Sequence, residues 1–256
     1  MSTTTLAPVP DLHVLGRSLL WSTPTLDDLQ ATATPDQLAF LVQAMTAENT
    51  NRDLARRVRL VKRAGFPAPK SFTAYDWAGL KLPATLTRED LTSAAFVANH
   101  ENLVCYGPVG TGKTHFAIAI GQAAIDQGIP VRFFTVSELV IRLAEAKTAG
   151  RLDRLLGDIA KAGLLVLDEY GYVPIDRDAA RLLFGIIANA YETRSLIITT
   201  NLPFSHWGAV LTDDQLAAAM IDRIAHHGHL VTFEGDSYRM RHALMRGQTP
   251  TQGTLK

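Results

Sequence analysis

Gly107-Pro108-Val109-Gly110-Thr111-Gly112-Lys113-Thr114 is the stretch whose reading decides the fold. It fits G-x-x-x-x-G-K-[ST], the phosphate-binding loop or Walker A motif. The apolar run Leu103-Val104-Cys105-Tyr106 precedes it as a buried strand, and His115 to Ile120 follows it as the first turns of a helix. Glycines let such a loop turn tightly, so that successive backbone N–H groups point at phosphate oxygens. The helix N-terminus adds a favourable partial charge. Lys113 then reaches the β- and γ-phosphates of a nucleoside triphosphate, and the Thr114 hydroxyl ligates Mg²⁺. The competing reading is a plain glycine turn with an exposed lysine; the strand before and helix after argue against it.

Working outward, Leu164-Leu165-Val166-Leu167-Asp168-Glu169 is an apolar strand ending in two acids, the Walker B pattern. Asp168 is the candidate Mg²⁺ ligand, and Glu169 is the candidate base for the attacking water. An acid placed directly after the magnesium aspartate suits hydrolysis, with water as nucleophile. Strands are expected at 103–107, 131–136, 164–168, 196–201 and 229–234, alternating with helices. That alternation predicts an α/β fold with a central parallel five-stranded sheet covered on both faces. The long connection from Val136 to Leu164 holds two amphipathic helices rather than one. Ligands in such a sheet sit beyond the carboxyl ends of the strands, so Thr111, Glu169 and Asn201 should meet in one crevice. Asn201 there orients water or senses the γ-phosphate. Arg223, near the end of a helix before the last strand, is badly placed for its own nucleotide and well placed for a neighbouring subunit's, as an arginine finger acting in trans. Arg194 is a weaker candidate for the same role. His226, His227 and His229 lack the spacing of a metal site.

The whole chain has 256 residues, 47% hydrophobic, with 25 basic and 25 acidic side chains. That is ample for a packed core and excludes a global field for nucleic acid, so any basic surface is local. The single cysteine, Cys105, lies in the first strand and excludes a disulfide framework. The first residues lack a basic head and apolar stretch, and no run is long enough to span a membrane, so a cytoplasmic protein is expected. Four segments follow: a helical N-terminal domain at 1–66, a linker and entry helix at 67–98, an ATPase domain at 99–240 and a flexible tail at 241–256. Thr34-Pro35-Asp36-Gln37 starts a helix well, with a threonine cap, proline first and glutamine third. Within residues 52–63, Arg52, Arg56, Arg57, Arg59, Lys62 and Arg63 face only Asp53, six cations against one acid. Arg52, Arg56, Arg59 and Arg63 share one helix face and are candidates for DNA phosphate contact, the alternative being a solvated or subunit-contact face. Lys147, Arg151 and Arg154, outward on the inserted helix pair, are further candidates, tempered by Asp153 and Asp158. Phe72, Tyr75 and Trp77 in the linker read as anchors to the next domain.

Together these motifs resemble the IstB-like family of AAA+ ATPases that assist insertion-sequence transposition. The likeness rests on Gly107–Thr114, on Asp168-Glu169-Tyr170-Gly171-Tyr172-Val173-Pro174, on Thr199 to Trp207, on Ile221 to His227, and on Glu234-Gly235-Asp236-Ser237-Tyr238-Arg239. It implies an AAA+ P-loop NTPase, related to DnaC-type helicase loaders, that uses ATP and Mg²⁺. It also implies ATP-dependent self-association into an oligomer on duplex DNA and recruitment of a partner transposase. Val109 stands where proline is more usual. The short tail implies a reduced or absent lid domain and leaves Arg239 as only a candidate sensor 2 arginine. A replicative helicase loader is the alternative function, and a small-molecule kinase of the P-loop class a remoter one.

Overall fold

Six strands form one sheet in the order β1-β6-β2-β5-β4-β3. The structure is a computed structural model and describes residues 11–73 and 75–238. In chain order the strands are β1 Leu80–Lys81, β2 Asn102–Tyr106, β3 Val131–Thr135, β4 Leu164–Tyr170, β5 Ser195–Thr200 and β6 Gly228–Phe233. The last five are parallel, as the alternating pattern predicts. β1 is an addition: two residues from the proline-rich linker pair antiparallel with Phe233 and Thr232 of β6. Two residues carry no readable periodicity, so the sheet is mixed and six-stranded rather than purely parallel and five-stranded.

The parallel strands are near-continuous apolar runs because both faces are covered. One face packs with α6 (Val136–Thr148), α8 (Arg177–Ala190) and α10 (Asp214–His226) around Leu139, Leu143, Leu183, Ile187 and Trp207. The other packs with α5 (Lys113–Asp126) around Phe116, Ile120, Leu103 and Val166. Phe72, Tyr75 and Trp77 sit on Phe116 with ring centroids 5.7, 5.8 and 6.1 Å away. These linker aromatics are anchors on α5. The helix pair between β3 and β4 is α6 and α7 (Leu152–Ile159). Near the start of the second unit, α4 (Arg88–Thr92) opens with a complete capping box between Thr87 and Asp90, and α9 (Trp207–Leu211) follows β5.

The chain divides into two compact units between Arg59 and Leu60. The first holds α1 (Leu12–Ser18), α2 (Thr23–Thr32) and most of α3 (Pro35–Ala64) around Leu12, Leu26 and Met45. α2 has only Leu26 and Leu29 as large apolar residues, too few for a periodic signal in the sequence. The start of α3 follows its motif: Thr34 N–H donates to Gln37 Oε1 and Gln37 N–H to Thr34 Oγ1. Leu60 and Ala64, at the end of α3, pack into the core of the second unit. The division therefore falls before the Gly65–Pro67 break. Residues 1–10, the 241–256 tail and Arg239 lie outside the described residues.

One buried polar group ties the amino ends of β2 and β5 to the carboxyl end of α10. Asn102 donates from Nδ2 to Ile224 O (3.3 Å) and accepts at Oδ1 from Leu196 N–H (3.0 Å). Asn102→Ala leaves both groups buried without that partner. We expect it to cost about 1–3 kcal/mol in urea unfolding; a loss under half a kilocalorie would show that the contacts do not hold α10 and β5 to β2.

Candidate functional site

The loop after β2 folds as its glycines require. Gly107 N–H donates to Thr200 O at 3.2 Å. A Cβ on Gly107 would lie 2.2 Å from Phe233 O, so only glycine lets the loop leave the sheet here. Gly110 has φ +83°, and a Cβ there would meet the Ser237 side chain. Lys113 opens α5 and is buried. Its ammonium donates to Gly107 O at 2.8 Å and Pro108 O at 2.7 Å. Thr111 Oγ1 donates to Pro108 O at 2.8 Å, and Val109 faces solvent.

The carboxyl ends of β2, β5 and β4 lie side by side, which brings the sequence candidates together. Thr114 Oγ1 lies 3.0 Å from both carboxylate oxygens of Asp168. Burial raises the Asp168 carboxyl above its ordinary range, opposed by hydrogen bonds from Thr199 and Thr114 and by the charge of Lys113. Glu169 sits on a bulge. Leu167 pairs with Ile198 and Tyr170 with Thr200, so Asp168 and Glu169 together oppose Thr199 alone. Such a bulge bends the strand and re-aims a side chain. Glu169 takes φ +59°, a left-handed conformation that is costly for a non-glycine residue.

Thr199 holds that bulge, and sequence reading passed over it. Its hydroxyl donates to Asp168 Oδ1 at 2.5 Å and accepts from Glu169 N–H at 3.0 Å. One buried hydroxyl thus fixes the side chain of one acid and the backbone of the next. The Thr199-Thr200-Asn201 run was legible as a polar strand end, but nothing in it tells which threonine turns inward. Asn201 stands just beyond β5, and its side-chain oxygen is buried with no hydrogen-bond partner among the described residues. A buried acceptor left open at this strand end is suited to a donor on a ligand or water.

Beside the loop lies a cleft of about 570 Å³, lined by Lys70, Tyr75, Leu80, Thr111, Thr114 and Tyr238 among others. The linker makes one wall. The segment after β6 makes another, tied to the loop by Tyr238 N–H donating to Gly110 O at 2.9 Å and to β1's neighbour by Glu234 N–H donating to Gly79 O at 2.8 Å. The size suits a nucleotide. Cys105 is fully buried, which pushes its thiol up and leaves it a core residue.

Arg223 is not part of this cluster. Its guanidinium donates to Ala219 O at 2.8 Å and lies 5.2 Å from the Phe184 ring centre. The next residue, Ile224, is bonded to Asn102 at the amino end of β2. The five residues of β2 therefore separate Arg223 from Gly107 by roughly 16 Å. Arg194 donates to Ile159 O at 3.3 Å and Asn189 O at 3.5 Å. Among the arginine-face candidates, Arg52 pairs with Glu48 at 2.7 Å and Arg63 with Asp158 at 2.8 Å. Asp158 also pairs with Arg132. Lys147 pairs with Asp178 at 2.8 Å. Arg56, Arg59, Arg151 and Arg154 are exposed. The Arg63 and Lys147 pairs join residues far apart in the chain, so spacing could not foresee them. No group of three or more metal-ligating side chains occurs among the described residues.

Comparisons with known proteins give the family and the fold. The family model described as IstB-like ATP binding protein matches residues 18–245. An ATP-binding protein of insertion sequence IS21 from Pseudomonas aeruginosa is 36% identical over 202 residues, covering 79% of this chain and 76% of its own. The corresponding protein of insertion sequence IS5376 from Geobacillus stearothermophilus is 35% identical, covering 79% and 80%. Among solved structures, the DnaC helicase loader superimposes with a TM-score of 0.50 at 23% identity, covering 69% of this chain and 99% of its own. DnaI gives 0.54 at 19%, covering 64% and 91%. The two structures bear on fold alone.

Thr199→Val keeps the shape and removes both hydrogen bonds. It should lower kcat for nucleotide hydrolysis on the order of tenfold or more, with nucleotide affinity changed far less, and Thr199→Ser should restore most of the rate. Unchanged kcat in the valine variant would remove Thr199 from the site's working parts.

Proposed function

The chain belongs to the IstB-like ATP-binding family and is an AAA+ ATPase, and from that premise we propose that it regulates transposition as an ATP-dependent assembly on duplex DNA. The observation that carries the reading is the separation of Arg223 from its own phosphate loop, with Asp168, Glu169 and Asn201 gathered beside that loop. A site with the water-activating acid, and with Arg223 set apart from it, is half of a hydrolytic site. Arg223 of one subunit completes the site of the next, and the Phe184 ring and Ala219 carbonyl hold it ready. ATP then bridges subunits.

Each residue has a role in this scheme. The backbone of Gly107–Thr114 and Lys113 hold the phosphates, and Lys113 exchanges its two loop carbonyls for phosphate oxygens. The hard oxygen donors of Thr114 and Asp168, already within 3.0 Å of each other, fit Mg²⁺. That ion supplies charge neutralisation across the phosphates when bound. Glu169 accepts the proton of the attacking water, and Asn201 Oδ1 orients it. The base lies in the cleft between linker and the 234–238 segment.

DNA contact falls to exposed basic side chains, with Arg52, Arg56 and Arg59 on α3 and Arg151 and Arg154 near α7 as the candidates. Arg52, Arg63 and Lys147 reach phosphate by exchanging carboxylate partners, which exposed pairs do at small cost. Insertion-sequence proteins are the relatives of highest identity quoted above, which favours a transposase as partner over a replicative helicase. Action in the cytoplasm fits these roles, and no described helix is long and apolar enough to cross a membrane.

Binding of ATP must favour the assembled state for hydrolysis to release it. Glu169→Gln should therefore bind ATP, stop turnover and stay on duplex DNA many times longer than the parent chain in a dissociation assay. Release as fast as the parent's would contradict the switch. Tighter binding to single strands than to duplex, together with capture of a replicative helicase, would favour a loader instead.

A further inference from the structure

The side-chain oxygen of Asn201 is buried with no hydrogen-bond partner among the described residues. No contact at that oxygen aims it, so the backbone must. That backbone is held on both sides, and Thr200 takes part each time. Before Asn201, the Thr200 carbonyl accepts from Gly107 N–H of the phosphate loop at 3.2 Å. After it, Leu202 N–H donates to Thr200 Oγ1 at 3.0 Å. A threonine hydroxyl bonded to the N–H two residues on is a local turn device, and it sets the direction of the residue between.

The same hydroxyl also reaches the neighbouring strand. Thr200 Oγ1 donates to Tyr170 O at 2.9 Å, and Tyr170 directly follows Glu169. A hydroxyl has one proton to give and lone pairs to accept with. Here the proton goes to the strand that bears the acid, and a lone pair serves the turn that bears the amide. The contrast with Ser195 at the other end of β5 is instructive. That hydroxyl is also buried, and it has no partner among the described residues. A buried hydroxyl on β5 therefore does not bond wherever it falls; the one beside the site does.

Trp207 braces this turn from α9. Its Nε1–H donates to Leu202 O at 3.3 Å. The indole is fully buried, with the Tyr170 ring centre 4.2 Å and the Phe204 ring centre 4.9 Å away. A Cβ on Gly171 would lie 2.5 Å from Leu202 Cδ1, so the turn after β5 packs directly on the chain after Tyr170. Leu202 is thus held at its N–H by Thr200, at its carbonyl by Trp207 and at its side chain by the Gly171 backbone.

We infer that Thr200 is a positioning residue for hydrolysis: its hydroxyl aims the Asn201 amide and keeps it in register with Glu169, with Trp207 bracing the same turn. Thr199 closes the bulge of the acid, and Thr200 fixes the amide relative to it. Successive strand residues face opposite sides, which lets one strand do both. The inference rests on the role given above to Asn201 in turnover and does not rest on Arg223.

The test is steady-state ATP hydrolysis by the full chain on duplex DNA, with nucleotide affinity and urea unfolding measured beside it. Thr200→Val should lower kcat on the order of tenfold and change ATP affinity by no more than about twofold, and Thr200→Ser should regain most of the rate. Trp207→Phe keeps a ring and removes the N–H, and should lower kcat by about two- to threefold. The deciding readout is a double-mutant cycle. In an Asn201→Ala background, Thr200→Val should slow the enzyme no further, because its effect passes through the missing amide. A purely structural threonine would slow both backgrounds by the same factor, and that result overturns the inference. So does Thr200→Val at the parent rate while Asn201→Ala is slow. Asn201→Ala at the parent rate would instead remove the role of Asn201 on which the inference rests. Should Thr200→Val fail to fold, the same cycle with Trp207→Phe decides: a defect that vanishes without Asn201 supports the clamp, and one that persists, or no defect at all, overturns it.

Discussion

Strand β5 lies between the strand that leads into the phosphate loop and the strand that ends in the two acids, and the rest of the site depends on that placement. Parallel pairing on both sides puts the ends of β2, β5 and β4 in one line. Thr199 can then touch Asp168 and Glu169 at once. Asn201 follows two residues later at the mouth of the same crevice. Were β4 directly beside β2, no third strand would stand between loop and acids, and the bulge at Asp168–Glu169 would have no hydroxyl to close it. The strained backbone of Glu169 is tolerated because its N–H is satisfied there and its neighbours are buried strand residues.

Much of this was legible in the residues, and the reasons are physical. The phosphate loop is local: glycines, lysine and threonine are needed at fixed offsets within eight positions. The five parallel strands are visible because strands covered on both faces are continuous apolar runs. The two-residue β1 and the sparsely apolar α2 are too short or too polar to show a period. The bulge was out of reach because register belongs to a pair of strands, and the Leu167/Tyr170 shift appears only against Ile198 and Thr200. The same holds for the ion pairs of Arg63 with Asp158 and Lys147 with Asp178. A charge pattern along one helix reports what is presented, and distant segments decide what remains available.

The two ends of the sheet carry different parts of the chemistry. Its carboxyl end holds the phosphate loop with Thr114, Asp168, Glu169 and Asn201. Its amino end, pinned by Asn102 to Ile224, holds Arg223 on an aromatic platform. In the proposed assembly a subunit offers a nucleotide at one end and a completing cation at the other, a head-to-tail arrangement that propagates.

The central claim is that each ATP site is shared between two subunits, and mixing inactive variants tests it most directly. Lys113→Ala removes the phosphate-holding ammonium, and Arg223→Ala removes the proposed finger. In a mixture on duplex DNA, a Lys113→Ala subunit still offers its arginine to an Arg223→Ala neighbour that still holds ATP. The account predicts that the mixture hydrolyses ATP well above the sum of the two variants alone. A mixture that gives only that sum, with both variants assembled on the DNA, would contradict it.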